Sequence, residues 1–282
     1  MKNIIIEKTG FFLITMCIAI TGLFLALLIY FIVSNGINVL SFEFLTQPPK
    51  NSMTAGGVAP AIVGSFYLTV GAVIVALPLG LACAIYLNEY SPKGLVASAI
   101  RISVNNLAGV PSVVFGLFGL AFFVKFLGFG ISILSGSLTL AILILPAIIS
   151  TSQEALSAVP NSIREASLAL GATHSQTIRK AVLPCAFSAI LTGVILSIAR
   201  AAGETAPILF TAAAFYKRDY PDSIFSETMA LPYHIYALMT EGTSPDKQVA
   251  IAYGCALILL LIVLVISAGA IVLRNKYRRQ NA

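Results

Sequence analysis

The chain has 282 residues, of which 58% are hydrophobic and 10% charged, and its formal net charge is +6. An ordinary globular domain carries about 25% charged residues, so this chain cannot cover a soluble surface and its solvent is lipid. The positive balance, which would raise nucleic acid in a soluble protein, here asks which side of a membrane holds the basic residues.

Residues 1–10 hold Lys2, Glu7 and Lys8 and read as a short N-terminal segment. The apolar run that follows, 11–33, has 23 residues. That exceeds the roughly 7–15 residues of a signal-peptide core, and no small-residue cleavage site ends it, so it reads as a retained first span. About 20 apolar residues cross the hydrocarbon core. Five further stretches meet that length: roughly 60–87, 109–128, 131–150, 185–210 and 248–273. Only Gly128-Phe129-Gly130 divides the third from the fourth. The expected fold is an all-α polytopic bundle of six spans, forming a single transmembrane domain over 11–282.

The segments between spans orient the bundle. With the N-terminus inside, eleven Lys and Arg fall on the cytoplasmic side. Four (Lys50, Lys217, Arg218 and Lys247) fall outside, and Lys125 and Arg200 lie within spans, which accounts for all 17. This bias follows the positive-inside rule and puts both termini in the cytoplasm. Residues 34–59 form a first outer loop rich in Gly, Pro, Ser and Asn. Residues 211–247 form a second, in which 225–240 predicts a short helix, interfacial or tucked against the bundle. Lys125, near the outer end of its span, is placed to snorkel to the headgroups. His234 is expected in the interface and His174 exposed in the inner loop. Cys17, Cys83, Cys185 and Cys255 lie in or beside apolar stretches, with neither metal nor disulfide spacing. No Walker-type glycine loop is present, so neither a nucleotide site nor a cofactor is expected on this chain.

The long inner loop, 151–184, carries a pattern. Pro160 opens a helix whose apolar side is Ile163, Ala166, Leu168, Ala169 and Leu170. Gly171 sits where a helix ends on a left-handed residue. Thr173 and Gln176 form a T-x-x-Q capping box for a second short helix, which runs toward Leu183-Pro184. Two short helices at an angle are expected along the cytoplasmic face.

Within the fifth span, Arg200 and Glu204 share one helix face at i, i+4 spacing. A charged side chain at mid-bilayer costs about 2.5–3.5 kcal/mol on insertion scales, so the pair must face a bundle interior or a watery cavity. Gly203 leaves room beside it, and Pro207 loosens the helix just beyond. The planar fork of an arginine can hold two oxyanion oxygens at once. A carboxylate beside it can hold the arginine in place and weaken its grip on an anion. A structural ion pair that keeps the span in register is the competing reading, and both roles can coexist.

Glu165-Ala166, Gly171 six residues after the Glu, and Leu183-Pro184 together resemble the EAA loop of ABC importer permeases. Ser167 and Ala181 depart from that pattern, at its second Ala and at its Ile. The runs Asn106-Leu-Ala-Gly-Val-Pro111-Ser-Val-Val-Phe-Gly116-Leu-Phe-Gly119 and Ile198-Ala-Arg200-Ala-Ala-Gly203-Glu204-Thr205-Ala-Pro207-Ile-Leu-Phe-Thr211-Ala212 resemble the PstA family of phosphate permeases. The likeness covers most of the chain from the second span onward. It implies a MetI-like, type I importer permease in the bacterial inner membrane that performs no catalysis itself. It also implies a PstC-like partner permease, a PstB-like ATPase dimer on the inner loop, and a PstS-like phosphate-binding protein outside. Arg200, Gly203, Glu204 and Thr205 would then line the phosphate pathway, while Glu165, Ala166, Gly171, Leu183 and Pro184 would couple to the ATPase. A PstC-like half, or a permease for another oxyanion, keeps the class and changes the partner or cargo. An ion-driven secondary transporter would be expected to show inverted repeats, and none is visible. A membrane scaffold would leave the Arg200–Glu204 pair without a purpose.

Overall fold

A computed structural model of the chain describes residues 2–280 apart from 52, 92, 93, 215, 218 and 243. Lys93 and Arg218, both used in the charge count above, therefore lie outside the described residues. The described chain is mostly helical. The first span is one long helix, α1 (Lys2–Gly36). The first outer loop holds a short helix α2 (Phe42–Thr46), capped by the Ser41 hydroxyl, and a hairpin of β1 (Pro49–Lys50) with β2 (Ala55–Gly56). The second span is α3 (Ala59–Ile85), which continues through a wider π-helical turn to Tyr90.

The third crossing differs from the expected straight helix over 109–128. It is a pair, α4 (Leu95–Ala108) and α5 (Ser112–Gly119), the latter extended to Phe126 by π-helical turns. The two halves are bent by 104°. The cause is local: Pro111 disfavours a helical Val110 before it, and its own backbone is extended at φ −58°, ψ 140°. The stretch 112–126 alone rises about 22 Å, short of the ~30 Å hydrocarbon core. Five unbroken helices are thus long enough to span among the described residues, and the bent pair makes up to six.

Gly128 and Gly130, both at positive φ (70° and 68°), make the sharp reversal into α6 (Ile133–Ser157). Two-thirds of the apolar window of α6 is buried (67%), more than in any other candidate span, so it is the centre of the bundle. Between helices in lipid there is no hydrophobic driving force, and close approach through small residues supplies the packing instead. Against α3, a Cβ on Gly71 would collide with Ser137 and one on Gly136 with Ala212 and Leu68. The Ser137 hydroxyl donates to the Leu68 carbonyl across this seam at 3.3 Å. Leu68, Ala72, Leu140, Ile144 and Ile148 fill the core around it.

The inner loop holds α7 (Asn161–Ala169) and α8 (His174–Thr177). The chain then runs without a break through π-helical residues 178–182 into α9 (Leu183–Gly203). The second loop helix and the fifth span are therefore one 30-residue helix, His174–Gly203, and Leu183-Pro184 lies inside it rather than at a new start. The fifth span also ends early. Glu204 is extended, and a single turn, α10 (Ala206–Leu209), follows. In the second outer loop, α11 (Leu231–Thr240) begins later than expected and is tucked into the bundle. The Leu231 amide donates to Ser65 Oγ of α3 at 2.8 Å. His234 is consequently buried rather than interfacial. The last helix, α12 (Pro245–Gln280), packs on α9, α11 and α1.

Candidate functional sites

Arg200 stands in the last turn of α9, where a cation also complements the helix C-terminus. Its Nε donates to Glu204 Oε1 at 3.5 Å. The contact is long and single. The arginine side chain is 53% exposed and the glutamate 17%, so most of the guanidinium donors remain free for another acceptor. Glu204 lies just past the helix in extended backbone, so the i, i+4 spacing brings the charges together without both residues being helical. Gly203 faces open space: a Cβ there would meet nothing within 4 Å. Thr205, half-buried, starts α10, and its carbonyl accepts the Leu209 amide.

Arg200 also borders a cavity of about 80 Å³ between Ala108, Val110, Phe115, Pro146 and Ser150. That is room for several waters. The cavity lies between the backbone break at 109–111 and the last turn of α9. The two runs singled out in the sequence, some ninety residues apart, pack directly on each other here. A Cβ on Gly116 would press on the Ala206 carbonyl at 2.8 Å, and one on Gly119 would collide with Thr139 and meet Thr211 at 2.8 Å. Their small residues thus bring α5 against α10, beside the arginine. Lys125 is exposed near the far end of α5.

The second site is the inner loop. Gly171 has φ +83°, the left-handed conformation expected at the end of a helix. The capping box closes as the pattern predicts: Thr173 Oγ1 accepts from the Gln176 amide at 3.3 Å, and Gln176 Oε1 from the Thr173 amide at 2.8 Å. Glu165 and Ala166 are exposed on α7, while Leu183 is half-buried and Pro184 exposed farther along the continuous helix. Ser167, the departure from the small-residue pattern, shares a hydrogen bond of 2.9 Å with Thr177 and so ties α7 to the foot of α9. His174 is exposed and makes an edge contact with Tyr90 at 5.1 Å.

Beside this loop lies a cluster that sequence reasoning passed over. Arg164 grips Glu89 with two hydrogen bonds, Nη2 to Oε1 at 2.7 Å and Nε to Oε2 at 3.1 Å. The Glu89 side chain is only 4% exposed. The one hint was a carboxylate just past the end of the second apolar run, but the partners are 75 residues apart and no periodicity joins them.

Residues 76–277 match the family described as "binding-protein-dependent transport system inner membrane component". The chain is 33% identical over 281 residues to the probable ABC transporter permease protein YqgI of Bacillus subtilis, covering 96% of this chain and 95% of that one. It is 36% identical over 244 residues to the phosphate transport system permease protein PstA of Xylella fastidiosa, covering 86% of this chain and 82% of that one. Among solved structures, the inward-facing MetNI methionine ABC transporter superposes with a TM-score of 0.63 at 18% identity, over 77% of this chain and 96% of its own. That likeness carries the fold: an all-helical importer-permease bundle.

Proposed function

The chain belongs to the family of binding-protein-dependent transport system inner membrane components, and from that premise we propose that it is one permease half of an ATP-driven phosphate importer. It is a multi-pass membrane protein of the ABC-permease class, with both termini on the cytoplasmic side. A PstC-like permease completes the pathway and a PstB-like ATPase dimer engages α7 and Gly171. A PstS-like protein delivers phosphate from outside. ATP hydrolysis belongs to the partner ATPase.

The observation that carries the reading is the state of Arg200. It is half-exposed, held by one long contact to Glu204, and set at a break in α9 beside a small cavity. Phosphate carries about one to two negative charges near neutral pH, and an apolar bundle is a steep barrier to it. A guanidinium with free donors offsets part of that charge, while Glu204 weakens the grip and favours release. The contact is single and 3.5 Å long, with the arginine half-exposed, a weak geometry for a structural clamp. Likeness to PstA relatives favours this half over a PstC-like one and phosphate over other oxyanions.

The test is uptake by the reconstituted complex. Arg200→Gln is expected to insert and assemble but to lose most phosphate uptake, about a hundredfold if one charge-assisted contact of ~3 kcal/mol is removed. Glu204→Gln is expected to impair it less. The charge swap, Arg200→Glu with Glu204→Arg, separates the readings: full recovery of transport would make the pair a clamp only. Intact assembly with dead uptake would place the requirement on where the positive charge stands.

A further inference from the structure

We propose that Glu89 and Arg164 form the linkage through which the docking helix α7 drives the second and fourth spans as one body. The inference rests on reading 151–184 as the ATPase-docking loop and goes beyond it, because it says which side chains carry the motion onward. Helix α7 buries none of its own residues. Packing alone would leave it a loosely attached arm. Ile163 touches the cluster of Leu156, Val159 and Val182 below it, and Ser167 tethers it to Thr177 at the foot of α9.

Arg164 supplies the stiff attachment. Every one of its N–H donors is used. Nε and Nη2 hold the two oxygens of Glu89 at 3.1 and 2.7 Å. Nη2 also donates to the Leu156 carbonyl at 2.9 Å, and Nη1 to the Val159 carbonyl at 2.7 Å and Asn161 Oδ1 at 3.3 Å. Leu156 lies in the last turn of α6 and Val159 two residues beyond its end, where backbone carbonyls favour a cation. A second strand of the knot runs alongside. Asn88 Nδ2 donates to Glu89 Oε1 at 2.8 Å and Asn88 Oδ1 accepts from Ser157 at 2.6 Å. One guanidinium thus joins α7, the end of α3 and the end of α6. Its planar fork fixes orientation as well as distance, which a lysine ammonium cannot do. Removing one partner strands the other charge half or wholly out of water, so the join is strong as a pair and fails as a single residue. Glu89 and Arg164 act here as positioning residues, through the elements they join.

The test uses the full complex in lipid nanodiscs and proteoliposomes, with Cys17, Cys83, Cys185 and Cys255 replaced by serine. Spin labels go on Ser162 of α7 and Leu79 of α3, both exposed. In the otherwise unaltered chain their distance is expected to stay the same between nucleotide-free and ATP-trapped states, because the elements travel together. In Glu89→Gln, and in Arg164→Lys as the second variant should the first not assemble, the distance is expected to change between the two states. Phosphate moved per ATP is expected to fall by about tenfold, within the range that coupling free energies span. Glu89→Asp, which keeps the charge, is expected to recover part of that ratio. A distance that shifts with nucleotide in the unaltered chain overturns the proposal, and so does one that stays fixed in both variants. If the unaltered complex hydrolyses ATP without moving phosphate, the phosphate reading fails instead, and the distances still decide the linkage.

Discussion

His234 is 2% exposed on α11, and its Nδ1 has no hydrogen-bond partner among the described residues. Burial pushes its pKa down to about 4. The sign of the linkage follows: a histidine that resists protonation when folded contributes its full stability above its ordinary value of about 6.5 and loses it as pH falls toward 4. The shift corresponds to about 3 kcal/mol. Thermal melts of the detergent-solubilised chain between pH 7 and about 4 should therefore fall more steeply for the unaltered protein than for His234→Gln; parallel curves would mean the imidazole is not buried neutral. The mixed apolar and polar residues around His234 read in the sequence as a short helix either interfacial or tucked against the bundle, with His234 itself in the interface. The helix that carries it is tied to α3 by the Leu231 amide donating to Ser65 Oγ, a contact across 166 residues that no local pattern encodes. The Arg200–Glu204 contact was legible because four residues of spacing suffice to bring the charges together. The Glu89–Arg164 pair was not, because only the folded bundle makes its two ends neighbours.

At the scale of elements, length and hydropathy were enough to find α1, α3, α6, α9 and α12, since a bilayer demands long apolar helices. They were not enough to find the bend between α4 and α5. Gly109 and Pro111 mark it, but apolar residues continue on both sides and conceal the break. Nor did Pro184 signal that α8 runs on into α9, because proline is tolerated near the start of a helix, where no amide partner is lost. The turn at Gly171 was predicted from its position and carries its own test. Proline fixes φ near −65°, so Gly171→Pro cannot reach the observed +83°. The variant should insert normally and lose transport-linked ATP hydrolysis; coupled hydrolysis at the usual rate would show that this turn does not carry the stroke. The α6–α9 seam makes a second case. A Cβ on Gly193 would collide with Thr151, so Gly193→Leu should force the helices apart at a cost of about 1–3 kcal/mol. The readout is a several-fold loss of monodisperse protein after detergent extraction.

At the scale of the whole molecule, the charge bias supplies an orientation that the helices alone do not. Reporter fusions after residue 45 and within 215–245 should read outside, and those near 95, 165 and the C-terminus inside. An outside signal at 165 would defeat the docking role of α7, since no cytoplasmic ATPase could reach it.

The placement of α1 has a consequence for how the chain is made. None of its apolar window is buried, and among the described residues its main neighbours are the short turn that follows it and α12. The join is made near its end, by Phe31 set edge-on to Tyr253 at 5.5 Å and by Gly36 pressed against the Tyr253 carbonyl. A ribosome delivers α1 to the bilayer long before it delivers Tyr253. Until that residue is made, α1 has none of the α12 contacts that fix its end. The contact between α1 and α12 thus joins the two ends of the sequence, and a chain cut before residue 253 would lack the residue that both Phe31 and Gly36 meet.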